Sequence, residues 1–437
     1  MTAPPGLIVA APASGSGKTV LTLALLRRLR RDGVAISSFK VGPDYIDPAF
    51  HRAATGRDCV NLDGWAMRPE TLARLAAAAG RDAEMVIGEG VMGLFDGADG
   101  GGGATADLAA QAGWPVLLVV DVRGQAGSAA ATVAGFAHFR DDVAVAGVVF
   151  NRAGGPGHAR ILRDAMAPLD LPVLGVVPRR DALALPDRHL GLVPAGEHDD
   201  LDGFLDRAAG IVGDCVDMDA LRALARPGRF AAAPEATPPL PPPGQRIAVA
   251  DDAAFAFAYP FVLEGWHAAG AEILRFSPLA GEAPDAGADA VYLPGGYPEL
   301  HAGRLAASAG FLAGLRDLAA RGVPILGECG GYMVLGDGLI DAAGARHAMA
   351  GLLPLETSFA ARRLHLGYRR AKLVADGPLG AAGARFRGHE FHFASVLREE
   401  AADPLFTCRD SAGRDLGPAG ARRGPVMGSF VHLVDSE

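Results

Sequence analysis

The sequence predicts an α/β protein of two domains, the first of them a P-loop parallel-sheet domain. Three observations carry this. Short apolar runs alternate with helical patterns in both halves, the signature of βαβ units. The stretch Arg226 to Arg246, RPGRFAAAPEATPPLPPPGQR, holds too many prolines to continue a helix or a central strand. The length, 437 residues, suggests two or three domains.

In the first half the runs Leu7–Ala11, Val34–Phe39, Glu84–Gly88, Val116–Asp121, Val143–Phe150 and Val173–Val177 read as buried strands. Helical patterns at Lys18–Arg31, Ala104–Ala112 and His158–Ala165 separate some of them. Residues 226–245 read as a stiff proline-rich linker between domains at 1–225 and 246–437. Beyond it, Arg246–Ala250, Glu272–Phe276, Ala290–Leu293 and Val323–Leu326 are predicted strands between helices. After Met349 the strands crowd together, which predicts a mixed sheet there. No internal repeat is present.

Half of the chain is hydrophobic and 21% charged, which supplies a large core. The formal net charge of −9 argues against a nucleic-acid binder, because neutralising phosphates needs a basic face. The cysteines Cys59, Cys215, Cys329 and Cys408 are far apart, so neither a zinc site nor a disulfide framework is predicted. A reducing cytoplasm is the expected compartment. The run Leu7–Ala11 leads straight into a glycine loop, as a strand does and a signal peptide does not. No apolar run approaches the roughly 18–20 residues that span a bilayer, so no membrane is expected.

After the first strand comes Pro12-Ala13-Ser14-Gly15-Ser16-Gly17-Lys18-Thr19 and then an amphipathic helix. Small residues let backbone N–H groups curl around phosphate oxygens, and the helix adds its positive end. Lys18 is placed to reach the β/γ-phosphates and Thr19 to hold Mg²⁺. The first glycine of the usual motif is Pro12 here, so the loop is a variant. A chance glycine-rich turn is the alternative; strand, loop, Gly-Lys-Thr and helix in order speak against it. Carboxylates follow two other strands, in Lys40-Val41-Gly42-Pro43-Asp44-Tyr45-Ile46-Asp47-Pro48 and in Glu89-Gly90-Val91-Met92-Gly93-Leu94-Phe95-Asp96-Gly97. Ligands of open α/β sheets bind outside the carboxyl ends of strands, so Asp44, Asp47, Glu89 and Asp96 are expected near Thr19. The alternative for Asp44 and Asp47 is a Pro-Asp turn.

In the second half, Val323–Leu326 runs into Gly327-Glu328-Cys329-Gly330-Gly331-Tyr332-Met333. This G-x-C-x-G pattern is the cysteine form of a nucleophile elbow. A helix N-terminus beneath the thiol is expected to lower its pKa. Upstream, Leu293-Pro294-Gly295-Gly296-Tyr297 ends a strand, and its glycine amides are candidates to join the Gly330 amide in an oxyanion hole. Cys59, Cys215 and Cys408 lack such a setting and are expected to be structural. Val426–Val431 reads as one apolar strand with His432 at its carboxyl end, where the base for an elbow cysteine belongs. His389 and His392 alternate along a strand and are candidates for substrate binding. His267, His301 and His347 are expected to be structural.

Taken together these residues resemble the cobyrinic acid or hydrogenobyrinic acid a,c-diamide synthase family over essentially the whole chain. The stretches that carry the resemblance are SGSGKT, KVGPDYIDPAFH, EGVMGLFDG, PGGYPEL, GECGGYM and GHEFHFAS, in that order. The first half resembles dethiobiotin synthetase-like P-loop ligases. The second is similar to class I glutamine amidotransferase domains of the cobyric acid synthase type, an α/β fold. The resemblance implies that ATP with Mg²⁺ phosphorylates a peripheral carboxylate of a corrinoid, cobalt-bearing or metal-free. Cys329 would release ammonia from glutamine through a thioester, with His432 as its base. Ammonia would cross between domains and displace phosphate, first on one carboxylate and then on a second. Ser14 and Gly15–Thr19 would bind phosphates, Thr19, Asp47 and Glu89 the metal, and Asp44, Asp47 and Asp96 the substrate carboxylate. Asn151 and the Pro178-Arg179-Arg180 stretch would lie near the nucleotide base. Class I domains carry a Glu two residues after the His; here that position is Val434, so the third member of the triad is absent or supplied elsewhere.

Two other readings stand beside this one. An amidotransferase acting on later corrinoid side chains shares both domains, but PDYIDP and GHEFHFAS favour the diamide synthase. A regulatory P-loop ATPase with a dead cysteine domain is disfavoured by the intact Cys329, His432 and glycine loop. A homodimer is compatible with the sequence and not required by it.

Overall fold

The computed structural model of the chain describes residues 3–188, 191–230, 237–399 and 403–437. They group into two compact units that divide between residues 236 and 237, with Ala66–Arg68 grouping with the second. Residues 231–236 of the expected linker lie outside the described residues.

The first unit runs β1 (Ala3–Ala10), α1 (Lys18–Arg31), β2 (Ile36–Val41), α2 (Asp47–Thr55), β3 (Val60–Leu62), α3 (Pro69–Ala79), β4 (Met85–Glu89), α4 (Thr105–Ala112) and β5 (Val116–Asp121). It continues through α5 (Ser128–His138), β6 (Val145–Ala153), α6 (Pro156–Met166), β7 (Val173–Pro178), a hairpin of β8 (Asp187–Arg188) and β9 (Gly191–Leu192), α7 (Leu201–Gly213), α8 (Met218–Leu224) and β10 (Arg226–Gly228). The main sheet has the order β3-β2-β4-β1-β5-β6-β7 and is parallel throughout. Its strands are apolar at nearly every position because helices cover both faces; Leu7, Ile8, Val9, Val86 and Ile87 are all fully buried. The order reverses about β1, which puts the loop after it at the crevice where such sheets bind ligands.

The start of the expected linker is a correction. Arg226–Gly228 does not space the units but pairs antiparallel with β1 as β10, covering the half of β1 that β5 leaves free. Pro5 faces Pro227 there, in a ladder short enough to tolerate two missing donors.

The second unit begins with β11 (Arg246–Ala250), α9 (Pro260–Ala268), β12 (Glu272–Phe276), β13 (Ala290–Leu293), α10 (Ala302–Ala307), α11 (Ala309–Ala320), β14 (Ile325–Glu328) and α12 (Gly330–Leu335). Then come β15 (Gly338–Ile340), β16 (Arg346–Ala348), β17 (Leu355–Ser358), β18 (His365–Leu373), β19 (Arg385–His392), β20 (Ser395–Glu399), β21 (Phe406–Asp410), β22 (Asp415–Ala419), β23 (Ala421–Arg423), β24 (Val426–Ser429) and β25 (Val431–Ser436). The principal sheet is β12-β11-β13-β14-β24-β23, parallel up to β24. Of the crowded strands after Met349, β17 and β20 join β15 and β16 in a mixed sheet, β16-β15-β17-β20, and others form an antiparallel one, β22-β21-β18-β19-β25.

Val426–Val431 is not one strand. The chain leaves β24 at Ser429 and enters β25 at Val431, which belongs to a different sheet. His432 therefore lies near the start of β25, opposite His389 of β19, and not at the end of the strand that flanks the elbow. An apolar run shows burial but not a change of sheet partner, which is why the two read as one. Among the described residues, no helix is long and apolar enough to cross a membrane.

Candidate active sites

The glycine loop of the first unit is held from beneath by side chains. Ser16 Oγ donates to Ala13 O (2.8 Å), Asn151 Nδ2 to Ser16 O (2.9 Å) and Arg152 Nη1 to Gly15 O (2.6 Å). These bonds occupy the loop's carbonyls. Gly17 has φ 88°, and a Cβ there would stand 2.3 Å from Asn151 Nδ2, so both backbone and space demand glycine. Asn151, expected near a nucleotide base, lines a cavity of about 240 Å³ with Val20, Leu21, Pro178 and Arg180, but its amide is committed to the loop. A second cleft, of about 530 Å³, opens over Pro12, Ala13, Ser14, Gly15 and Ser16, with Asp121 and Arg123 on its far side.

Lys18 donates to Met92 O (2.6 Å) and Ala13 O (3.4 Å). Met92 holds φ 50°, rare for a residue with a side chain. Burial outweighs the neighbouring Glu89 charge and draws the Lys18 ammonium down to about 8. Thr19 Oγ1 donates to Glu89 Oε1 at 2.6 Å. The structure thus brings Lys18, Thr19 and Glu89 together at the ends of β1 and β4.

Two residues that sequence reasoning left without a role complete the cluster. Lys40, buried at the end of β2, pairs with Asp47 (2.6 Å) and Glu89 (2.9 Å). His51 of α2 meets Glu89 Oε2 at 2.7 Å. Burial by itself would raise the Glu89 carboxyl; Lys40, His51 and Thr19 outweigh it and hold the group below the ordinary carboxylate range. Burial also opposes charge on His51, but Cys59 and Glu89 beside it lift the imidazole to about 10. Asp47 is pushed up to about 7 by burial and the Asp44 charge, against the pull of Lys40. The signal in the sequence was Lys40 itself, a cation ending an otherwise apolar or small-residue strand.

Asp44 and Asp96 act on backbone. Asp44 Oδ1 accepts from Ile46 N (2.8 Å) and Asp47 N (3.0 Å), and Asp96 Oδ2 accepts from Gly93 N (2.8 Å). For Asp44 this is the Pro-Asp turn that the sequence left open. Thr19, Glu89 and Asp47 are oxygen donors of the kind Mg²⁺ takes, and in this arrangement Glu89 is engaged by Thr19, Lys40 and His51 and Asp47 by Lys40.

The second centre is in the other unit. Cys329 sits between β14 and α12 with φ 46° and ψ −101°. A strained residue of this kind persists only where surrounding packing dictates it. Here Gly331 would place a Cβ 1.9 Å from Leu293 O, and Gly327 one 2.7 Å from a Leu335 methyl, so the turn closes only on glycine. Gly330 and Gly296 are close: a Cβ on Gly330 would lie 2.9 Å from Gly296 N. Gly295 lies between thiol and imidazole. A Cβ built on it would stand 2.3 Å from His432 Cε1, 3.0 Å from His432 Nε2 and 3.4 Å from Cys329 Cβ. The imidazole thus reaches the elbow even though His432 is on a different sheet.

The N–H at the start of α12 favours the thiolate but is outweighed at this thiol. Burial pushes Cys329 above the ordinary thiol range, the Glu299 charge adds to it, and the Gly330 N–H offsets only part. Burial, with the charges of His389 and His392, draws His432 down to about 3. Both shifts favour the neutral forms, a thiol on Cys329 and an uncharged imidazole on His432.

His389 is buried and faces His432 across the strand pair. The His392 ring stacks on Phe430 (3.9 Å) and His365 (4.6 Å), with Nε2 2.9 Å from a Glu390 oxygen. Cys59, Cys215 and Cys408 are free thiols like Cys329.

Residues 7–193 match the family model described as the CobQ/CobB/MinD/ParA nucleotide binding domain, and residues 246–437 match the CobB/CobQ-like glutamine amidotransferase domain. Curated relatives named hydrogenobyrinate a,c-diamide synthase match nearly end to end. That of Brucella abortus biovar 1 is 56% identical over 432 residues, 98% of either chain. That of Rhizobium meliloti is 56% identical over 434 residues, 98% of this chain and 99% of its own. That of Mesorhizobium japonicum is 53% identical over 436 residues, 98% of either chain.

Proposed function

Because the chain belongs to the hydrogenobyrinate a,c-diamide synthase family, we propose that it amidates the a and c carboxylates of metal-free hydrogenobyrinic acid, drawing ammonia from glutamine and energy from ATP. The observation that carries the reading is the strained Cys329 beside His432, with Gly295 between them.

A carboxylate resists amines because its leaving group is an oxide. Transfer of the ATP γ-phosphoryl group to a carboxylate oxygen gives an acyl phosphate and ADP, and phosphate then leaves readily. Lys18 exchanges Met92 O and Ala13 O for phosphate oxygens, and the Gly15, Ser16 and Gly17 amides with α1 receive the remaining charge. Ser14 borders the same cleft, while Asn151 and Pro178 border the cavity for the base. Thr19, Glu89 and Asp47 would hold Mg²⁺, which supplies charge neutralisation on the phosphates. Lys40 keeps Glu89 and Asp47 aligned. Asp44 and Asp96 shape the turns that receive the substrate carboxylate.

At the other centre His432 Nε2 takes the Cys329 proton, and Sγ attacks the glutamine amide carbon. The Gly296 and Gly330 amides receive the oxyanion, with Gly295 keeping the space clear. The C–N bond breaks, His432 returns the proton to the departing nitrogen, and water releases glutamate from the thioester. Ammonia attacks the acyl phosphate and expels phosphate. His389 and His392 flank the centre on the substrate side. A reaction that uses ATP and a reduced thiol suits the cytoplasm.

The test is incubation with ATP, Mg²⁺, glutamine and either hydrogenobyrinic or cobyrinic acid, read by product mass. Two successive amidations of the metal-free ring are expected, with glutamate formed in step. No mass change with either ring overturns the reading.

A further inference from the structure

Glu328, the residue before the nucleophile, is buried, and its two oxygens take different partners. Oε1 accepts from the backbone N–H of Leu433 at 3.1 Å, so the carboxylate is tied to the residue next to His432. Oε2 accepts from Tyr292 OH at 2.7 Å and lies 3.9 Å from His432 Nδ1. The opposite ring nitrogen, Nε2, faces Gly295, whose Cβ position also borders Cys329 Cβ, while the thiol itself donates to Phe391 O at 4.0 Å. The imidazole therefore has Nδ1 toward the carboxylate and Nε2 toward the Gly295 side of the elbow. Glu390 is the carboxylate whose charge acts on this histidine, and it is committed to Arg369 (2.7 Å) and His392 (2.9 Å).

We propose that Glu328 is the positioning residue of the amidotransferase centre, filling the role left open by Val434. The proposal rests on the glutamine-hydrolysing reading above. Glu328 accepts the Nδ1 proton of His432 and so leaves Nε2 bare to take the proton of Cys329. When that proton moves from Sγ to Nε2, the imidazolium forms against a carboxylate. The 3.9 Å gap closes by a small rotation of ring or carboxyl; such contacts are commonly long before substrate binds. The other titratable groups around the pair are His389, His392, Glu390, Glu299 and Tyr292. The supply route is unusual in that nucleophile and orienting acid are consecutive residues.

The experiment compares wild type and Glu328→Gln for glutamine hydrolysis and for amidation with added ammonium chloride. The amide is isosteric and keeps an oxygen acceptor, but not the charge. The expected result is a fall in glutaminase kcat of roughly 10²- to 10⁴-fold, with KM for glutamine changed by less than about threefold and ammonia-driven amidation intact. A glutaminase kcat within about twofold of wild type overturns the proposal. A loss shared by both nitrogen sources, or carried by KM, also overturns it, provided the thermal melt matches wild type. If Glu328→Gln does not fold, Glu328→Asp decides: a kcat loss confined to glutamine supports the role, and wild-type kcat refutes it. Wild-type protein that forms no glutamate at all would instead refute the glutamine-hydrolysing reading.

Discussion

Gly295→Ala puts the geometry of the cysteine centre to a direct test. The added methyl would stand 2.3 Å from His432 Cε1, more than ~1 Å inside the carbon–carbon contact of about 3.5 Å. His432 is fully buried, so the ring must retreat by most of that amount against packed neighbours. A displacement of about 1 Å in a catalytic group costs on the order of 10²-fold in rate. Overpacking should also remove about 1–3 kcal/mol of stability from this unit. The backbone N–H at 295 survives in the variant, so a loss of activity reports crowding of the imidazole and not a missing oxyanion donor. Glutamate release should fall about 10²-fold while ammonia-driven amidation is retained. Glutaminase kcat at the wild-type level in a folded variant would refute the placement of His432 against Cys329.

Further outcomes follow from the two centres. Cys329→Ala should abolish glutamine use and leave amidation with ammonium salts; loss of both would refute the division of labour between the units. Lys18→Ala should reduce amidation from both nitrogen sources by at least about 10²-fold, and a normal rate with ammonia would remove the phosphate role. Glu89→Gln should raise the Mg²⁺ concentration needed for half-maximal activity, and an unchanged magnesium titration would make the Thr19–Glu89 contact purely structural. Burial lifts Glu328 to about 7, against its Tyr292 and Leu433 hydrogen bonds. The folded protein then keeps a proton that the unfolded chain loses near 4.5, so stability should decline as pH rises from about 4.5 to 7. Denaturant titrations of Glu328→Gln across that range should show a shallower decline; equal slopes would count against it.

Much of both centres was legible in the sequence because each rests on local geometry. The left-handed glycines and the Lys18-Thr19 pair at the start of α1 follow from the order strand, loop, helix. The glycines around Cys329 are there because neighbouring backbone leaves no room for a Cβ at 327 or 331. Such requirements act within a few residues, so they leave a mark on composition and spacing.

What the sequence by itself determined is the α/β class, the parallel strands with their bordering helices, the phosphate loop and the nucleophile elbow, all consequences of period, small residues and local backbone demands. Only the tertiary structure decided which distant side chains meet: Lys40 and His51 around Glu89, Asn151 beneath Gly17, and Glu328 beside His432. It also decided that β24 and β25 separate at Phe430, and that burial, not the helix end, sets the Cys329 thiol. Those contacts arise when strands far apart in sequence are packed side by side, and burial depends on everything that covers a group. Neither leaves a local trace that spacing can reveal.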